Sequence, residues 1–442
     1  MTDLASKHKT YRLVAPFRNE VYTSDPANVE YILKTNFENF GKGWHNYGIL
    51  NDLLGDGIFA VDGEKWRERR KVSSLEFSAR ALRDVSSTIF KENAVKLAKI
   101  FSEAVASNQP MNIQDLFMKS TLDSIFRVAF GVELDSMCGS NEEGSRFSRA
   151  FDDASEITAW RYVDILWKIK KALNIGLEAK LKANIRIIDE FVYKLIHNKT
   201  KQIEQVQYDD NADLRKQDIL TRFLKLSGGE PKYLRDIILN FVMVGKDMTA
   251  TTMSWFFFML CKHPLVQEKA AREIEITVKY GDENANLSEF AANLSEEALD
   301  KMHYLHAALT ETETLSSGSH DGFSVRKGDV VAYQPYAMGR MKSIWGDNAR
   351  DFKPERWIDY NGCFKPESPF KFTAFQGGPR ICLGKDFAYR QMKILTAVLL
   401  RFFVFKASEE KKAVKYRTMI NLHIAGGLSV RACRRSDYVV LT

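Results

Sequence analysis

The sequence predicts a mainly α-helical chain with small β-sheets, an α+β protein folded as one large domain over residues 1–442. Three observations carry that expectation. Apolar residues recur at helical spacing from Ile89 to Leu226, from Leu234 to Lys262 and from Lys385 to Phe402, as in helices that each bury one face. Strand-like alternation is confined to short stretches within about residues 10–35 and 321–335, a small β-rich lobe beside a helical one. With 45% apolar side chains the chain can bury a large core, and no low-complexity block divides it into modules.

Met1–Lys9 has no apolar core, so it is neither a signal peptide nor a membrane anchor. Tyr11–Thr23 alternates apolar and polar residues, and Pro16 marks a turn between two strands. Asp25 then stands as N-cap and Pro26 as first residue of a helix through Leu33. Gly41–Gly63 is rich in glycine and aromatics. In Lys65–Lys71, Trp66 and Arg70 fall one above the other on a helix face, a pattern that also suits a solvated basic helix with one anchoring tryptophan. Polar surface connections are expected around Cys138–Ser145 and Gln205–Lys216. The helix from Leu234 to Lys262, roughly 40 Å long, is apolar nearly all round, as a buried helix is. Its polar interruption is Val244–Thr249, where Asp247 can cap a second helix and the threonines can back-bond to carbonyls. The most apolar run, Met253–Cys261, is well short of the ~20 residues that span a bilayer. A polar stretch, Gly281–Glu297, leads to a short helix near Ala298, and Gly322–Val325 with Asp329–Tyr333 form a hairpin through Arg326-Lys327-Gly328.

The net charge of +7 is modest and has no block of one sign, which excludes a nucleic-acid partner beyond general surface attraction. Five cysteines, Cys138, Cys261, Cys363, Cys382 and Cys433, are scattered and odd in number. That is no disulfide framework, and it points to a reducing, cytosol-facing compartment.

Cys382 stands apart because it lies in Phe375-Gln376-Gly377-Gly378-Pro379-Arg380-Ile381-Cys382-Leu383-Gly384, directly ahead of an amphipathic helix. On that helix Ala388, Met392, Leu395, Leu399 and Phe402 form the apolar stripe, with Lys385, Arg390, Lys393 and Arg401 elsewhere. A thiolate there has three sources of stabilisation: backbone N–H groups at Gly378 and Gly384, the Arg380 guanidinium, and the positive end of the helix. A lone cysteine, by contrast, is usually a small buried hydrophobe.

The pattern Phe-x-x-Gly-x-Arg-x-Cys-x-Gly, with Phe352-Lys353-Pro354-Glu355-Arg356-Trp357 upstream, resembles the cytochrome P-450 haem-thiolate monooxygenases and implies their fold. The resemblance implies that Cys382 is the axial ligand of a haem b iron and favours O–O cleavage. Arg380 then pairs with a haem propionate, Phe375 shields the sulfur, and Trp66 with Arg70 matches Trp-x-x-x-Arg, both reaching a propionate. Lys65, Arg67, Arg69 and Lys71 would face an acidic electron donor on the proximal side. Gly41–Gly63 would be the loop region that closes over the distal face and helps choose the substrate. Electrons would come from NADPH through a separate reductase, since the chain has no glycine-rich dinucleotide fingerprint. Family members are usually tethered to the cytosolic face of the endoplasmic reticulum by an N-terminal helix, and this chain opens about where their first sheet begins, so it is expected to lack the anchor and to be soluble. Tyr333–Met341 and Ile344–Gly346 look like the plant fatty-acid ω-hydroxylase branch, whose products enter cutin, suberin and pollen-wall polymers.

Two departures stand out. The family's small-Gly-x-acid-Thr stretch, whose acid–alcohol pair delivers protons, corresponds to Val244-Gly245-Lys246-Asp247-Met248, so Met248 replaces the threonine. Thr249 follows ~100° further round the helix. The family's Glu-x-x-Arg has no arginine after either Glu311 or Glu313, where Thr314 and Ser316 stand, and the chain passes straight to Ser317–Asp321, omitting a helix end and a strand. Without that arginine, Arg356 and one of Glu311 or Glu313 are expected to meet in an imbalanced site with an extra or poorly paired charge. Two readings of different class therefore stand: a monooxygenase hydroxylating long-chain fatty acids at the ω carbon, and an inactive haem-binding relic or splice variant of one.

Overall fold

Helices dominate, in the order the periodicity predicts, because most apolar residues fall on stripes that have to be covered. The computed structural model describes residues 2–15, 18–78, 80–206, 218–226, 230–278, 286–316, 329–409 and 414–437. They fall into two units, one of residues 1–41, 255–285 and 293–405, the other of 42–254, 286–292 and 406–442.

In the first unit Thr10–Ala15 pairs antiparallel with Arg18–Thr23, Tyr11 opposite Tyr22, and their rings stack at 5.3 Å. Val330–Tyr333 adds a parallel strand against Glu20–Thr23. The expected turn at Pro16 lies outside the described residues, as do the Gly322–Val325 strand, its Arg326–Gly328 turn and Ser317–Asp321. Asp25 caps as expected, its carboxylate accepting from Ala27 N–H at 2.9 Å, and the helix Pro26–Glu30 runs on as a π-helical turn, Tyr31–Thr35.

Pro264–Val278, His303–Ser316 and Lys385–Phe402 form the helical part of this unit, with Met392, Leu395 and Leu399 buried as expected. Lys393 departs from the sequence reading, because it too is buried and its Nζ donates to the Leu299 carbonyl at 2.6 Å. That carbonyl belongs to the last turn of Glu296–Lys301, at the negative end of the helix dipole, and accepts from Met302 N–H as well, at 3.4 Å. Burial pushes the Lys393 ammonium down to about 8. Glu296–Lys301 is the short helix expected near Ala298, started by Ser295.

In the second unit Arg80–Ala106, Ile113–Phe130, Glu142–Trp160 and Gly176–Val206 supply the long helices. Phe126, Phe130, Phe147 and Phe191 interlock among them, Phe147 stacking on Phe191 at 4.5 Å. Offset and edge-on ring pairs of this kind add to simple burial. Gly41–Gly63 is corrected from loop to largely helix: Gly43–Leu54 is helical because Ile49, Leu50, Leu53 and Leu54 share a buried face. The helix Leu287–Ala292 was hidden by its polar neighbourhood. Met111–Asn112 pairs with Ser429–Val430, and Tyr416–Thr418 with Leu422–Ile424, both antiparallel. Pro231–Val242, Met243–Met248 and Thr249–Lys262 form the long helix read from the sequence, except that the middle piece is π-helical. Among the described residues no helix is long and apolar enough to cross a membrane.

Candidate active site

The loop before Lys385–Phe402 is built by backbone geometry. Gln376 and Gly378 both take left-handed φ, +60° and +61°. A Cβ on Gly378 would lie 2.0 Å from the Leu33 carbonyl oxygen, so only glycine fits there. The chain then turns through Gly378–Arg380, and Cys382 N–H donates to the Phe375 carbonyl at 2.8 Å, closing the loop. Gly384 is the N-cap of the helix in an ordinary conformation, φ −90°, its carbonyl accepting from Ala388 N–H at 2.8 Å. The exposed Cys382 thiol therefore stands three residues ahead of the 18-residue helix Lys385–Phe402, where an anionic sulfur is favoured.

Aromatic contacts hold the loop. Phe375 packs on Tyr389 at 5.3 Å and on Phe372 at 6.2 Å, and the Lys385 ammonium lies 5.6 Å from the Phe375 ring centre. Arg380 sits over the Phe37 ring at 4.6 Å and donates one Nη1 bond to the Phe40 carbonyl. This contact orients a group whose planar fork of donors matches an acid.

In the second unit Trp66 and Arg70 lie on Gly63–Ser78, Trp66 buried and Arg70 half-buried. Their basic neighbours are more engaged than a free docking surface requires. Lys65 pairs with Asp56 at 2.7 Å, Arg67 with Glu64 at 3.2 Å, and Arg69 lies 3.8 Å over the Tyr233 ring. Exposed pairs like the first two are weak and exchangeable.

Asp247 and Thr249 are both buried in the central helical run. Two positions apart, they do not face each other, so the structure does not assemble them into one acid–alcohol pair. Asp247 is instead bound to the hairpin Tyr416–Ile424, with His423 Nε2 2.8 Å from Oδ1 and Asn421 Nδ2 donating to Oδ2 at 2.6 Å. Beside it the wholly buried Lys246 pairs with Asp152. Neither His423 nor Asn421 stood out in the sequence, because a single histidine in a three-residue strand has no pattern around it. Gly245 permits close packing against the helix Ile113–Phe130, a Cβ there falling 2.5 Å from Ile125.

Burial pushes the Asp247 carboxyl up, but the hydrogen bond and charge of His423, with Lys246 and Asn421, outweigh it and hold the group below 3.8. A carboxylate depressed by folding adds stability that is complete above its unfolded value and fades as pH falls through its folded one. Asp247→Asn is therefore expected to be less stable than the parent at neutral pH, with the gap closing in denaturant melts taken progressively below pH 3.8. A gap constant down to acid unfolding would show that Asp247 is not ionised in this bond.

The cytochrome P450 family model matches residues 1–427. The chain belongs to the cytochrome P450 family. Cytochrome P450 704C1 of Pinus taeda is 48% identical over 463 residues, covering 98% of this chain and 88% of the relative. Cytochrome P450 704B1 and Cytochrome P450 86B1 of Arabidopsis thaliana are 42% and 37% identical, covering 97% and 95% of the chain and 89% and 78% of themselves. The first alignment is longer than the whole 442-residue chain, so part of the pine protein faces gaps. As a cytochrome P450 the chain is a haem-thiolate monooxygenase that takes dioxygen and electrons from a redox partner.

The two departures from the P450 pattern now have a geometry. Met248 is 38% exposed and shares a helix side with half-buried Val244, four residues back, whereas Thr249 is buried. Thr249 does not take over the position of Met248. At the second departure Glu311 is fully occupied: Oε1 accepts from Arg356 Nε at 2.9 Å and Lys353 N–H at 3.0 Å, and Oε2 from Trp357 Nε1 at 2.8 Å. Arg356 also donates to the Asn348 and Asp351 carbonyls at 2.8 and 3.2 Å. The expected charge imbalance is thus corrected to a balanced one-to-one pair. Thr314, in place of the arginine, bonds back to the Thr310 carbonyl at 3.1 Å.

Proposed function

We propose that this chain is a fatty-acid monooxygenase, hydroxylating long-chain substrates at the ω carbon with electrons passed from NADPH by a reductase. The observation that carries it is the Cys382 loop, a thiol presented at a helix N-terminus by a turn that only glycine can make. Cys382 would hold the iron, and Arg380, Trp66 and Arg70 would anchor the propionates of the haem, which supplies the activation of dioxygen. Gly378 and Gly384 shape that loop, and Phe375 fixes it through its carbonyl. The family match runs through both units, which supports reading the chain as one catalytic domain.

A lipid substrate and a membrane location agree with one exposed surface of the second unit. Around Trp167–Leu173, Ile165 is 80% and Leu173 63% exposed, with Val163, Leu166 and Ile169 beside them. Trp44, 76% exposed, carries the Lys168 ammonium 4.7 Å over its ring. Apolar residues mixed with lysine and tryptophan are the composition of a surface resting in lipid headgroups, here the cytosolic face of the endoplasmic reticulum.

The test is incubation of the haem-loaded chain and a reductase with long-chain fatty acids, reading product position by mass spectrometry. ω-Hydroxy acid is expected, and a correct carbon monoxide spectrum with no oxidised lipid would favour the relic. Met248 favours poor coupling in either case, because a thioether neither donates nor relays a proton. With general acid supply worth ~10²–10⁴-fold, Met248→Thr is expected to raise product per NADPH and lower hydrogen peroxide. Equal yields from the two proteins would show that Thr249 or water already serves.

A further inference from the structure

We infer that His423 carries protons from a solvent cavity to Asp247, a route into the central helix that bypasses the missing threonine. It rests on the monooxygenase reading only for its use in turnover. A cavity of about 450 Å³ lies in the second unit, and its lining includes His423, Asp152, Arg417, Ser148, Met419 and Gln114. His423 forms part of the cavity wall, and its Nε2 lies within ion-pair reach of Asp247 Oδ1 at 2.8 Å. Its Nε2 also lies 3.3 Å from Thr251 Oγ1, so Nε2 is engaged and exchange with cavity water falls to Nδ1.

The other charges around the ring are mostly paired. Lys246 holds Asp152, and Arg417 holds Glu156, while Asp115, Lys119 and Arg149 stand at the cavity wall. Among the described residues that line the cavity, this leaves His423 as the group in contact with Asp247. The step balances without any oxidant: a hydronium ion in the cavity gives its proton to Nδ1 and leaves as water while the Nε2 proton moves to Asp247 Oδ1, leaving neutral imidazole protonated at Nδ1 and neutral carboxyl. The π-helical turn Met243–Met248 is where this carboxyl is delivered, and such turns gather at functional sites.

The test uses two variants of the full chain. His423→Gln removes the relay, and Ser148→Phe, on the helix Glu142–Trp160, obstructs the cavity without touching the pair. Exchange of the His423 ring N–H with solvent is read by nitrogen-15 NMR of histidine-labelled protein, where eight histidines make assignment practical. Ser148→Phe is expected to slow that exchange about tenfold. Both variants are expected to lower product per NADPH by ~10-fold or more and to enlarge its solvent deuterium effect, which a packing role would not change. Unchanged exchange in Ser148→Phe overturns the route, as does unchanged coupling in a folded His423→Gln. If His423→Gln does not fold, Ser148→Phe decides alone. If no variant or parent oxidises lipid, the monooxygenase reading fails, and the exchange rates still decide the proton route.

Discussion

Replacing Cys382 with alanine is expected to abolish the thiolate-type carbon monoxide spectrum of the reduced protein completely. The expectation follows from position as much as from residue type. Cys363 and Cys433 precede no long helix, so neither has a dipole to stabilise a thiolate, and Cys138, though ahead of Glu142–Trp160, has its thiol pushed up by desolvation and by Asp135. Cys261 is half-buried, and desolvation pushes its thiol up to about 12, the reverse of what a ligand needs. Cys363→Ala and Cys433→Ala should therefore leave the spectrum intact. An unaltered spectrum in Cys382→Ala would transfer the ligand role elsewhere and remove the basis of the proposed function.

What the sequence made legible were features written in local chemistry. The first hairpin, the Asp25 cap, the Lys385–Phe402 helix and the cysteine turn each depend on residues close in the chain, so spacing and residue type reveal them. Partnerships across long separations were not legible. Asp247 reads as a helix cap or as an acid followed by Met248 in place of threonine, yet its partners lie on Tyr416–Ile424. Lys393 reads as solvent-facing, yet a helix end from elsewhere in the chain offers it a carbonyl. Gly43–Leu54 reads as a loop because glycine and aromatics mask four well-spaced aliphatic residues. The Glu311 site lies between these cases, since the sequence named both partners and misjudged their balance by counting the absent arginine and not Trp357 and the Lys353 amide.

That balance makes Glu311→Ala the second large effect. The substitution strips an acceptor from three donors at once, the Arg356 guanidinium, the Trp357 indole and the Lys353 amide. Arg356 keeps its carbonyl partners but loses its counter-charge in a site where its side chain is 10% exposed. Breaking one side of a buried pair costs ~3–5 kcal/mol, a large part of a domain's net stability of about 5–15 kcal/mol. The melting temperature should fall on the order of 10 °C. The damage should reach the cysteine loop first, because Trp357 packs on Phe372 at 5.0 Å and Phe372 on Phe375, whose carbonyl holds Cys382 N–H. Haem should accordingly be lost on gel filtration at temperatures where circular dichroism still reports folded helices. Glu311→Gln should be much milder, since burial already pushes the Glu311 carboxyl up and an amide oxygen still accepts from these donors. If Glu311→Ala kept its haem and melted within a degree or two of the parent, the pair would have no part in holding the loop.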